Sequence, residues 1–142
     1  MFDPSVATEV HMIRGFGVDI VEVDRLARSM GRTASFAERV FVADEIEYCR
    51  AMADPAPHFA VRFAAKEAVM KALGTGWGQG VSFRDIAVRR PEHGPPEVEL
   101  TGGAATRLAA LGGSRVWLSL SHERSCAVAT ALIEGEADEG TT

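Results

Sequence analysis

The amino-acid sequence predicts an α+β fold: a small single domain with a mostly antiparallel sheet and a long central helix. Length sets the first bound, because 142 residues suit one compact unit of roughly 100–200 residues. The order of patterned segments sets the second. It runs β-α-α-α-β-β-α-β-β, mixing strands and helices without regular βαβ alternation, which argues for an antiparallel arrangement. The third is the segment 58–73, the strongest helical pattern in the chain, with strand patterns before and after it.

Residues 1–11 carry no periodicity and contain Pro4, and read as a disordered N-terminal extension to a domain over 12–134. From 16 to 23, Phe16, Val18, Ile20 and Val23, with Val21, support a strand running into a turn. Residues 24–32 form a short helix closed by Gly31, the residue type suited to a left-handed cap. The apolar signal continues over 36–42, and 43–52 is a helix with Asp44 and Glu45 in its first turn, where they complement the helix dipole. Pro55 and Pro57 break the chain. The helix over 58–73 uses Phe59, Phe63, Val69, Met70 and Leu73 as its apolar positions and ends at Gly74. Residues 74–80, with four glycines, form a loop. Residues 81–90 and 97–101 are strands joined by a Pro- and Gly-rich turn, a hairpin. A small-residue helix follows over 102–111, then a strand over 115–121 with Val116, Leu118 and Leu120 on one side. A final apolar strand spans 125–133, and 135–142 is a flexible acidic tail.

Hydrophobic residues at 46% and charged residues at 25% are ordinary globular values, which excludes disordered and fibrous classes. With 15 basic against 20 acidic residues the formal net charge is −5. Such a surface repels nucleic acid and anionic lipid unless its cations are gathered in one place, so neither is an expected partner. No stretch approaches the roughly 18 apolar residues of a membrane span. The first residues lack the basic and apolar regions of a signal peptide, and a cytoplasmic location is expected. Cys49 and Cys126 fit no ligand spacing and read as reduced thiols.

Five constellations could carry chemistry. Asp19 interrupts an apolar strand after Gly15-Phe-Gly-Val, so its carboxylate is either exposed on an edge face or buried against a cation or metal. On the central helix Glu67 and Lys71 are four apart and share a face, as do Arg62 and Lys66. Carboxylate oxygens suit a hard cation, and ammonium groups neutralise phosphoryl oxygens; the same spacing also describes a routine helix ion pair. The loop from Gly74 through Thr75 and Gly76 could bring backbone N–H groups to a phosphate. It follows a helix C-terminus and matches no nucleotide fingerprint, so a plain connector fits equally. Ser121 and His122, at a strand end, could donate to phosphate or form a serine-capped turn. Arg25, Arg28 and Arg32 form a basic stripe that suits an acidic protein partner by steering, or a solvated helix face.

Taken in this order, GVDIVEVDR, FAERVF, RFAAKEAVMKALGTG and SLSHE resemble the holo-acyl-carrier-protein synthases, over about residues 12–134. That family usually begins just before the Gly-x-Gly-x-Asp segment, in keeping with 1–11 as an addition. The resemblance implies a homotrimer with active sites at its subunit interfaces, each binding coenzyme A and Mg²⁺. It implies transfer of 4′-phosphopantetheine to a serine of an acidic acyl carrier protein, with release of adenosine 3′,5′-bisphosphate. Metal ligation falls on Asp19 and Glu67, and Lys71 lies near the pyrophosphate; these three carry catalysis. Contacts to coenzyme A fall on Arg62, Lys66, Lys71, Gly74, Thr75, Gly76, Ser121 and His122. Carrier docking falls on Arg25, with Arg28 and Arg32 beside it. Either Glu67 or a metal-bound water that it orients serves as the base. A non-catalytic coenzyme A-binding module and a carrier-binding factor without metal are the readings from other classes. The short single domain favours a fatty-acid carrier as client over polyketide or peptide synthase carriers.

Overall fold

The computed structural model describes residues 9–76 and 79–138. Strand β1 (His11–Glu22) leads into helices α1 (Val23–Arg32), α2 (Phe36–Val40) and α3 (Ala43–Arg50), then the long α4 (Pro55–Ala72). A 3₁₀ turn (Phe83–Asp85) precedes the hairpin β2 (Ile86–Arg89) and β3 (Glu97–Leu100); α5 (Gly102–Ala110), β4 (Gly113–His122) and β5 (Cys126–Glu136) complete the order. All pairings are antiparallel: one sheet runs β1-β5-β4 and a second is the β2-β3 hairpin. The expected α+β architecture with a long central helix is therefore the one observed.

Several boundaries differ, each for a local reason. α4 begins at Pro55, so the prolines expected to break the chain instead open the helix. In a first turn the missing proline N–H would have had no intrahelical partner, and the fixed φ is already helical. Gly31 is not a left-handed cap: α1 continues through it to Arg32, and the Thr33 N–H bonds the Ser29 carbonyl at 3.3 Å. Within 81–90 only Ile86–Arg89 is strand, because the Asp85 carboxylate accepts the Ser82 N–H at 3.0 Å and curls the preceding residues into a turn. His11, Gly135 and Glu136 lie in paired strand, whereas the sequence pattern assigns the first to the extension and the other two to the tail. Backbone pairing there needs no apolar alternation. The disorder expected of 1–8 and the flexibility expected of 139–142 concern positions outside the described residues, as do Trp77 and Gly78 of the glycine loop.

The core forms where α4 lies on the inner face of the three-stranded sheet. Ala64, Ala65 and Ala68 of the helix and Ala127, Ala129 and Ala131 of β5 are fully buried. These small residues let the two backbones approach closely. A Cβ at Gly17 would overlap the Ala68 carbonyl oxygen, and one at Gly15 would overlap that of Ala72. Only glycine fits such a contact, and this contact fixes α4 along β1. The helix then ends as expected at Gly74, whose φ is +69°. The Gly74 N–H bonds the Lys71 carbonyl at 3.0 Å and the Thr75 N–H bonds the Met70 carbonyl at 3.1 Å, the paired bonds of a Schellman cap.

A buried ion pair fixes the other side of α4. The Lys66 ammonium lies 2.7 Å from the Glu45 carboxylate, and both side chains are essentially inaccessible. Lys66 also donates to the carbonyls of Phe83, at 3.1 Å, and Ile86. Glu45 accepts the Val42 N–H at 2.8 Å and the Val88 N–H at 3.1 Å. Two buried charges are tolerable only when paired and hydrogen-bonded this fully. The network joins α3, α4 and the β2 strand.

Candidate active site

Asp19 sits on the inner face of β1, two residues beyond Gly17, so it emerges beside the last turns of α4. Glu67 projects from α4 into the same open cleft of about 580 Å³, which Arg25, Phe36, Phe63 and Cys126 also line. Lys71, one turn beyond Glu67, donates to the Asp19 carboxylate at 3.1 Å and to the Val18 carbonyl at 2.9 Å. The structure thus brings together Asp19, Glu67, Lys71 and Arg25. Among the described residues no three His, Cys, Asp or Glu side chains cluster as a metal cage. Two carboxylates in one cleft nevertheless fit Mg²⁺, which keeps waters and takes phosphate oxygens rather than an all-protein shell.

A further cleft of about 390 Å³ lies elsewhere on the chain and shares no lining residue with the first. Tyr48, His58, Arg62, Arg90 and His122 line it. The Arg62 guanidinium stacks over the Tyr48 ring, 4.3 Å from its centroid, and donates to the His58 carbonyl at 3.1 Å. The His58 and His122 rings meet edge to face with centroids 6.0 Å apart. Burial pulls the His58 pKa below the usual histidine value, and the neighbouring Arg62 and His122 add to that effect.

Other expected site residues stand differently. Lys66 is a correction: its ammonium is held in the buried network with Glu45 and two carbonyls, so it faces neither cleft. Thr75 is buried, with its hydroxyl turned back to the Met70 carbonyl at 3.4 Å, while Gly74 and Gly76 are exposed. Ser121 and His122 are consecutive in a strand and point to opposite faces. His122 joins Arg62, whereas Ser121 shares the outer face with Ile20 and Val128. Arg28 and Arg32 are exposed on α1 but do not line the Asp19 cleft. Sequence reasoning missed Glu45, His58 and Arg90. His58 lies four residues before Arg62 on α4, a spacing the sequence already holds, whereas His122 joins them only when strand β4 is folded against α4.

With this geometry in hand, comparison with known proteins is specific. The family model for the 4′-phosphopantetheinyl transferase superfamily matches residues 15–129. A protein of Syntrophus aciditrophicus named holo-[acyl-carrier-protein] synthase is 44% identical over 128 residues, spanning 89% of this chain and all of its own length. The crystal structure of holo-[acyl-carrier-protein] synthase from Neisseria meningitidis superposes with a TM-score of 0.77 at 37% identity, over 86% of this chain and 98% of that one. A holo-(acyl-carrier-protein) synthase from Bacillus anthracis in complex with CoA (3′,5′-ADP) gives 0.73 at 35% identity, over 87% and 98%.

Proposed function

This chain belongs to the 4′-phosphopantetheinyl transferase superfamily, and from that premise we propose that the Asp19–Glu67 cleft is where its chemistry occurs. The reaction is transfer of 4′-phosphopantetheine from coenzyme A to a serine of an apo-acyl carrier protein, with adenosine 3′,5′-bisphosphate leaving. The observation that carries the site assignment is the meeting of Asp19 and Glu67 in one cleft with Lys71 bonded to Asp19.

The serine oxygen attacks the phosphorus next to the pantetheine arm, a reaction that requires positioning and charge neutralisation above all. Asp19 and Glu67 would hold Mg²⁺, which supplies charge neutralisation and a template for the pyrophosphate oxygens. Glu67, directly or through a water that it orients, takes the serine proton. Lys71 is half-exposed and free to turn its ammonium from Asp19 toward a phosphoryl oxygen, where it stabilises developing charge. Arg25 borders the cleft at the place where an acidic carrier would present its serine, with Arg28 and Arg32 farther along the same helix.

A homotrimer belongs to the same reading. Phe16, Val18 and Ile20 lie on the sheet face turned away from α4 and are 62%, 48% and 67% exposed, next to Leu132, Val128 and Trp117 in register. A contiguous apolar face of this kind favours burial against another copy. Arg62 and His122 lie in a different cleft from Glu67, so a second copy would complete the coenzyme A site. Among the described residues no helix is long and apolar enough to cross a membrane; a cytoplasmic location is part of this reading.

The test is incubation of the purified chain with apo-carrier, coenzyme A and Mg²⁺. The carrier should gain the mass of phosphopantetheine, lose that gain under EDTA, and the enzyme should scatter light as three subunits. An unmodified carrier at saturating coenzyme A and Mg²⁺ would overturn the reading.

A further inference from the structure

We infer that helix α5 braces both ends of the 74–80 segment, and that Arg107 is a positioning residue for coenzyme A, acting through the end of α4 that it caps. The inference rests on the reading above in which the exposed Gly74 and Gly76 contact coenzyme A; the role of α5 and Arg107 is what it adds.

The chain leaves α4 through a peptide that the helix itself does not hold. The Met70 and Lys71 carbonyls accept the N–H groups of Thr75 and Gly74, but the last carbonyls of a helix need donors from outside it. The Leu73 carbonyl accepts from Arg107 Nε, 34 residues further along the chain, at 2.9 Å. A charged donor makes a stronger hydrogen bond than a neutral one, and a cation there complements the negative end of the helix dipole. Because the peptide bond is planar, fixing the Leu73 carbonyl fixes the Leu73–Gly74 peptide and the direction in which Gly74 leaves. Gly74, at φ +69°, offers little steric resistance to turning. Its course is therefore set from outside, by the guanidinium whose Nη2 lies 3.6 Å from where a Gly74 Cβ would stand.

The same face of α5 holds the other end. Gly103 is four residues before Arg107 and shares that face. It packs so closely on Gly80 that a Cβ there would overlap the Gly80 carbonyl oxygen. The start of α5 is anchored in turn: the Thr101 N–H donates to the Asp85 carbonyl at 2.9 Å, and the Asp85 carboxylate accepts the Ser82 N–H at 3.0 Å. One helix thus spans Gly74 and Gly80. Arg107 lines neither the Asp19 cleft nor the Arg62 cleft, so its effect travels through the end of α4. Lys71 keeps its own bonds to Asp19 and Val18, and α4 keeps its contact with Gly15 and Gly17. Loss of the Arg107 bond should therefore weaken coenzyme A binding and leave the transfer step at saturating substrate close to wild type.

The experiment is steady-state transfer to apo-carrier, with coenzyme A and carrier varied in turn, for wild type, Arg107→Met and Arg107→Lys. Arg107→Met keeps an apolar stem and removes the donor. Its coenzyme A KM should rise about tenfold, the loss of one charged hydrogen bond, with kcat and the carrier KM close to wild type. Arg107→Lys, which returns a charged donor on a long stem, should recover most of the coenzyme A KM. Arg107→Gln, too short to reach the Leu73 carbonyl, carries the test should the Met variant fold poorly. An unchanged coenzyme A KM would overturn the role of Arg107, and so would an equal rise in both KM values or a loss that lysine does not restore. Each of those results leaves transfer by the wild-type chain, and with it the proposed function, standing. A wild-type chain that does not modify carrier would remove both.

Discussion

Lys71 reaches from α4 to strand β1, where its ammonium donates to the Asp19 carboxylate at 3.1 Å and to the Val18 carbonyl at 2.9 Å. The contact ties the helix that bears Glu67 to the strand that bears Asp19. It also leaves a cation beside the two carboxylates proposed to hold the metal. Glu67→Gln keeps the shape of the side chain and removes its charge and basicity. Transfer should fall by roughly 10²–10⁴-fold, the usual range for losing a general base, with circular dichroism unchanged. Near-normal turnover at saturating Mg²⁺ would take Glu67 out of the chemistry.

The buried Lys66–Glu45 pair has no route to substrate, so its substitution should act on stability. Lys66→Met leaves the Glu45 carboxylate buried and uncompensated, which destabilises by about 3–5 kcal/mol. The double variant Glu45→Gln/Lys66→Met should lose less than the sum of the two single changes, because each single change leaves a lone buried charge and the double variant leaves none. Urea denaturation measures this; a Lys66→Met protein as stable as wild type would contradict the pairing.

Arg25 lines the Asp19 cleft from α1, on a chain whose net charge is −5. If the helix receives an acidic carrier, Arg25→Glu should raise the carrier KM strongly and leave coenzyme A binding close to wild type. The loss should depend on salt, since surface fields are screened over about 8 Å at physiological ionic strength. Arg28→Glu and Arg32→Glu, outside the cleft lining, should give smaller effects. Steady-state transfer with carrier varied at low and high salt decides it. An unchanged carrier KM for Arg25→Glu means the carrier docks elsewhere.

Cys49 is fully buried beside Arg62, and burial pushes its thiol from the usual 9.0 up to about 11, Arg62 only partly opposing the shift. The folded-state value lies above the unfolded one, so this group holds more proton in the native state between the two. Stability should therefore be unaffected by Cys49 below pH 9 and should fall as pH rises from about 9 to about 11. Cys49→Ser should flatten that part of the stability–pH profile measured by denaturant titration. At pH 8 a thiol reagent should label the half-buried Cys126 and spare Cys49. Rapid native-state labelling of both would show that Cys49 is not sequestered.

What the sequence determined by itself is local. The helical pattern of α4, its Gly74 cap and the alternation of Val116, Leu118 and Leu120 in β4 are encoded within a few residues, and all three are observed, with α4 opening earlier, at Pro55, and β4 longer, over Gly113–His122. Glu67 and Lys71 share a helix face by spacing alone, but only the family resemblance joined Asp19 to them, because no local pattern says which strand lies beside the helix. Other features were decided by contacts between distant segments. Pro55 and Pro57 suit a chain break and a helix start equally, and only the packing of α4 selects the start. Lys66 and Glu67 are adjacent, yet about 100° apart around the helix: one meets Glu45 and the carbonyls of Phe83 and Ile86, while the other lines the cleft. Ser121 and His122 diverge because a strand alternates its faces, and the sheet orientation that sends His122 to Arg62 comes from α4 lying against Gly15 and Gly17. The cleft of Tyr48, His58, Arg62, Arg90 and His122 draws on four separate stretches of chain. Side-chain types and local periods are written in sequence, but which face meets which partner is set by close packing across the whole domain.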